Sequence, residues 1–122
     1  MPRAFRFKLQ PVLNLRKQVE DEKARDLAAA RRAVAAQKEL MRRLRAEEIG
    51  CKADIARLER GRVDVQDVLA HRRFLNVLLK RQTLGGQDLQ RLIGAENSAR
   101  EALVEATKAR KVMERLREKR FA

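Results

Sequence analysis

Ten residues fix most of what this chain can become. Leu27, Ala30, Val34, Gln37, Met41, Leu44, Glu48, Cys51, Ile55 and Leu58 follow one another at alternating steps of three and four. Eight of the ten are apolar. A seam recurring every 3.5 residues is the pattern of a left-handed coiled coil, because it keeps one stripe facing a partner helix. A second series follows. Val68, Leu75, Gln82, Leu89, Glu96, Leu103 and Arg110 are seven apart, and Leu78, Gly85, Leu92, Ala99, Ala106 and Met113 interleave with them. This seam is diluted by Gln82, Glu96 and Arg110, polar residues that weaken a zipper but set its register. Upstream, Val12, Leu15 and Val19 share a face. From Val19 to Leu27 is eight residues, so a phase slip is expected there.

Between the two series lies Arg60-Gly61-Arg62-Val63-Asp64. Gly61 suits a helix C′ position with left-handed dihedrals, and Asp64 suits the N-cap of the next helix. So short a connection makes the helices antiparallel neighbours. Pairing about this turn sets Leu58 near Val68, Leu44 near Arg81, Val34 near Leu92 and Val12 near Met113. The fold class expected is therefore all-α: a long antiparallel two-helix coiled-coil hairpin, rod-like. The expected organisation is an N-terminal arm over 1–10, helix one over 11–60 with Pro11 as its first residue, a turn over 61–64, and helix two over 65–121. Gly85-Gly86 inside helix two predicts a break at 83–87, since each glycine costs about 1 kcal/mol against alanine.

Composition narrows the function. The chain has 122 residues, with 30 Lys and Arg against 17 Asp and Glu, a formal net charge of +13. The charge is uneven. Residues 1–19 hold five basic residues and no acid, and residues 108–120 hold seven basic residues against two acids. A hairpin brings both stretches to the end opposite the turn, forming a basic knob that wants an acidic partner. Elsewhere the charges form helix-stabilising pairs: Asp21–Arg25, Glu39–Arg43, Glu48–Lys52 and Glu96–Arg100. A basic chain raises nucleic acid as a partner. The absence of stacking aromatics among the basic residues argues against it.

Chemistry is sparse. The single Cys, Cys51, falls on the seam and reads as a small buried hydrophobe in a reducing compartment. The single His, His71, reads as a seam or boundary histidine. Ser98 has no His near it in sequence. There is no phosphate loop and no metal spacing. Two helices offer no concave substrate pocket. No enzyme activity, cofactor, metal or small-molecule substrate is expected. The opening MPRAFRFKLQPVLNLRKQ lacks the apolar run of a signal peptide, and no stretch reaches the length of a membrane span. The expected location is the cytoplasm. The stretch His71 to Leu79 is apolar around more than one face. Phe74, beside seam residue Leu75, should point partly outward and offer a docking site.

The opening Phe5-Arg6-Phe7-Lys8-Leu9-Gln10-Pro11-Val12-Leu13-Asn14-Leu15-Arg16 resembles the start of the flagellar FliJ family. The central Phe74-Leu75-x-x-Leu78 is similar to that family's hydrophobic element after the turn. The run Glu105-Ala106-x-x-Ala109-Arg110-Lys111-Val112-Met113-Glu114-Arg115-Leu116 resembles its basic C-terminal helix. The resemblance implies a component of the flagellar type III protein export apparatus that supports flagellum assembly, motility and chemotaxis. It implies a stalk-like coiled coil that binds the hexameric export ATPase, promotes its assembly and activity, and links it to the membrane export gate. Export chaperones are further implied partners, and the implied location is the cytoplasmic face of the inner membrane, held peripherally. By resemblance, Phe74 and Leu78 are export-gate contact candidates. From charge placement alone, Arg6, Lys8, Arg16, Arg110, Lys111 and Arg115 are candidates for the ATPase end. Two alternatives stand beside this: a basic coiled-coil nucleic-acid binder, and the equivalent stalk of a virulence-type secretion system.

Overall fold

A computed structural model describes residues 8–62 and 64–121. The chain is two long helices packed against each other, α1 (Gln10–Arg60) and α2 (Val65–Phe121), and no strand occurs among the described residues. α1 begins at Gln10, so Pro11 lies inside the first turn, where its missing N–H leaves no donor unsatisfied. The cations Arg57 and Arg60 in the last turn of α1, and Lys119 and Arg120 in that of α2, oppose the helix dipoles. Asp64 caps α2: its Oδ1 accepts hydrogen bonds from the backbone N–H of Gln66 at 3.0 Å and of Asp67 at 3.5 Å. Gly61 is not the left-handed cap expected of it. No glycine among the described residues has a positive φ, and the cap at this junction is the side chain of Asp64.

Residue contacts divide the chain into two compact units: residues 1–32 with 94–122, and residues 33–93. The second unit contains the turn. Its core is Met41, Leu44, Cys51, Ile55 and Leu78, with Leu75 and Leu89 packed against it. Leu78 is wholly buried. Polar seam residues are satisfied across the pair. Gln37 donates from Nε2 to the Gly85 carbonyl at 3.0 Å, and Gln82 donates from Nε2 to Glu48 Oε1 at 2.6 Å and to the Leu44 carbonyl at 3.4 Å. Leu44 therefore meets Gln82, one residue beyond the Arg81 expected.

The break expected at 83–87 does not occur, and α2 is continuous through Gly85 and Gly86. Gly85 is a packing device. A Cβ there would lie 2.6 Å from Met41 Sδ and 3.4 Å from Gln37 Nε2. The missing side chain makes room for Met41, which offsets part of the helix penalty of glycine. A Cβ on Gly86 would meet nothing within 4 Å.

In the unit that holds both chain ends, Leu13 is wholly buried and packs with Met113, and Leu27 and Ala106 are also buried. The expected partner of Met113 was Val12, which is instead exposed. The phase slip is absent for the same reason. Counting back from Leu27, the seam runs through the half-buried Lys23, Glu20 and Arg16 to the buried Leu13, still at steps of four and three, with Val19 half-buried beside it. The seam persists on charged residues, while Val12 and Leu15 lie outside it.

Candidate functional site

Two surfaces carry the sequence-derived site residues. The first lies beside Phe74 in the unit containing the turn. Phe74 is 44% exposed and lines a notch with Glu47, Gly50, Cys51, Asp54 and His71. Gly50 lines the notch without a side chain, and no atom stands within 4 Å of where its Cβ would be. Cys51 Sγ donates to the His71 carbonyl at 3.3 Å, and His71 Nδ1 lies 2.8 Å from the Asp67 carbonyl. Both side chains are thus engaged on the helix pair itself. Leu78 is no part of this surface. At 0% exposure it belongs to the core, so as a gate contact it is corrected to a core residue. The exposed apolar neighbour of Phe74 on its own helix face is Val77, one turn on, at 41%.

The second surface lies in the unit with both chain ends. Arg6 lies outside the described residues. Lys8, Lys111 and Arg115 are exposed. Arg110 faces inward. Its Nε donates to Glu20 Oε1 and its Nη1 to Glu114 Oε2, both at 2.8 Å, with its side chain 21% exposed. A guanidinium held by two carboxylates is a cross-helix clamp, which corrects Arg110 from a surface contact to a structural one. Hydrogen bonding from the Thr107 hydroxyl, then from Arg110, holds the Glu20 carboxyl below the usual carboxylate range, reinforced by the charges of Arg110 and Lys111 and opposed by desolvation. Arg16 is half-buried on the seam, and its Nε is shielded from water with no hydrogen-bond partner among the described residues.

The other expected ion pairs mostly form. Glu39 meets Arg43, Glu48 meets Lys52 at 2.7 Å, and Glu96 meets Arg100 at 2.8 Å. Asp21 and Arg25 do not pair; the neighbouring contact is Lys23 to Asp26 at 4.0 Å.

Sequence reasoning missed one surface. Val12, Leu15 and Val19 looked like core and instead line a groove with Arg16, Ala106 and Ala109. The signal was available: extending the heptad count upstream from Leu27 selects Leu13 and leaves these three off the seam. Among the described residues no group of His, Cys, Asp and Glu could hold a metal ion, and no helix is long and apolar enough to cross a membrane. What the arrangement offers is two faces for macromolecular contact, one apolar and aromatic, the other basic.

No curated protein and no solved structure matches the chain. The family model described as "Flagellar FliJ protein" matches residues 5–122. With that match spanning nearly the whole of a two-helix chain, the protein belongs to the flagellar FliJ family, a component of the flagellar export apparatus.

Proposed function

We propose that the chain acts as a stalk, binding and stimulating the hexameric flagellar export ATPase through the unit that holds both chain ends, and contacting the membrane export gate through the face around Phe74. The observation that carries this reading is the gathering of the basic residues within 8–19 and 108–120 in one unit, with Lys8, Lys111 and Arg115 exposed there. Such a field accelerates encounter with an acidic surface and orients the approach. Arg110, already neutralised by Glu20 and Glu114, contributes to shape more than to steering. Export chaperones are further partners on this reading, and the working location is the cytoplasmic face of the inner membrane, held there by the gate and the ATPase.

The test is ATP hydrolysis by the cognate export ATPase, titrated with this protein at fixed salt. Stimulation is expected, and Lys8→Gln/Lys111→Gln/Arg115→Gln should lower it while leaving helicity intact. Phe74→Ala should leave stimulation unchanged and weaken gate binding. Full stimulation by the triple variant would overturn the assignment of the ATPase end. Lost stimulation in Phe74→Ala would overturn the division of labour between the two surfaces.

A further inference from the structure

The groove lined by Val12, Leu15, Arg16, Val19, Ala106 and Ala109, of about 270 Å³, lies wholly within the unit of the chain ends. Val12, Leu15 and Val19 follow at steps of three and four, the spacing of a coiled-coil stripe, yet Leu15 is 58% exposed and Val12 is also open to solvent. The opposite wall supplies Ala106 and Ala109, which are short enough to let a third backbone come close. The stripe spans about 10 Å, two helical turns. Leu9 and Leu116, in the same unit, are also exposed.

We infer that this groove takes an amphipathic helix of another protein, one that carries a carboxylate opposite Arg16. Two observations select that occupant. First, Arg16 lines the groove, and its Nε has no hydrogen-bond partner among the described residues. A carboxylate seated in the groove would give the rest of this guanidinium a charge-assisted partner. Second, the groove belongs to the basic part of the molecule. A second copy of this chain would bring the same excess of Lys and Arg against it, whereas an acidic helix is drawn in. The partner presents apolar residues at i, i+3 or i+4, and i+7, as helices laid in grooves do. The inference does not depend on ATPase stimulation, and its test contains no ATPase.

The experiment titrates the full-length chain with two synthetic amphipathic helical peptides, one of Leu and Glu and one of Leu and Lys, by fluorescence anisotropy. The Leu/Glu peptide is expected to bind, more weakly as salt rises, and at least about tenfold tighter than its Leu/Lys counterpart. Leu15→Ser should weaken it about tenfold and Arg16→Gln severalfold, with unchanged helicity by circular dichroism. Ile49→Ser, on the other unit and 69% exposed, should leave binding unaltered. Absence of binding by the Leu/Glu peptide, equal binding of both peptides, or indifference to Leu15→Ser would each overturn the inference. So would sedimentation showing a dimer of this chain that Leu15→Ser abolishes.

Discussion

The two units solve the same packing problem with different residues. In the unit containing the turn, the seam is Met41, Leu44, Cys51, Ile55 and Leu78, and its polar members are mainly glutamines that find partners across the pair. In the unit of the chain ends, the α1 seam runs through Arg16, Glu20 and Lys23, and the two helices meet in the Leu13–Met113 contact and the Glu20–Arg110 clamp. Apolar burial is strong and indifferent to direction; charged seam positions are weaker but specific. One unit is thus built to hold the hairpin together. The other trades cohesion for a charged, partly open surface that a partner can complete.

The largest expected effect tests that division. Leu78→Ala should destabilise the chain by about 2–5 kcal/mol in denaturant unfolding, the cost of truncating a fully buried leucine. Leu13→Ala, equally buried but near a helix end with one buried neighbour, should cost less and appear mainly as faster amide exchange near the chain ends. Equal global losses from the two would break the contrast.

A smaller effect separates neighbouring residues. Gly86→Ala should stabilise by about 1 kcal/mol, the helix propensity gain at a site with open space. Gly85→Ala should forfeit most or all of that gain, because Met41 must move away from the new methyl group. Thermal melts of the two variants provide the comparison, and equal stabilisation would show that Met41 yields freely.

The smallest effect is the pH dependence that Glu20 gives to the unit of the chain ends. The folded value of Glu20 lies below its unfolded one, so its contribution is present above the unfolded carboxylate range and is lost as pH falls through the folded value. Amide protection factors around Thr107 and Arg110, corrected for the intrinsic pH dependence of exchange, should therefore fall on acidification into and below the carboxylate range. Glu20→Gln should flatten that response. An unchanged response in the variant would assign it to another carboxylate.

How much of this was legible beforehand follows from what each residue reports. The α2 seam could be read directly, because its apolar members recur often enough to carry the phase past Gln82, Glu96 and Arg110. The α1 seam was legible from Leu27 onward and misread before it. There, hydrophobicity marks Val12, Leu15 and Val19, while the seam positions are the half-buried Arg16, Glu20 and Lys23, whose long aliphatic stems can cover apolar surface. Phe74 was correctly read as outward. Leu78 was placed both on the seam, where it lies, and by a motif match at the gate contact, because a motif match says that a residue matters without saying which way it points. The glycine pair predicted a break because propensity sees only one helix, and the reason for Gly85 sits on the other, in Met41.

That fit between Gly85 and Met41 also acts as an indexing notch. A heptad seam is nearly degenerate, since sliding one helix by seven residues returns apolar stripe to apolar stripe. Such a slide would replace Gly85 opposite Met41 with Leu78 or Leu92, its seam equivalents one heptad away, where no vacancy receives the thioether. It would also part Gln37 from the one backbone carbonyl it reaches. Under an axial load the two helices of this unit therefore cannot creep past each other by easy heptad steps, and a pull on one is passed to the other rather than dissipated as slip.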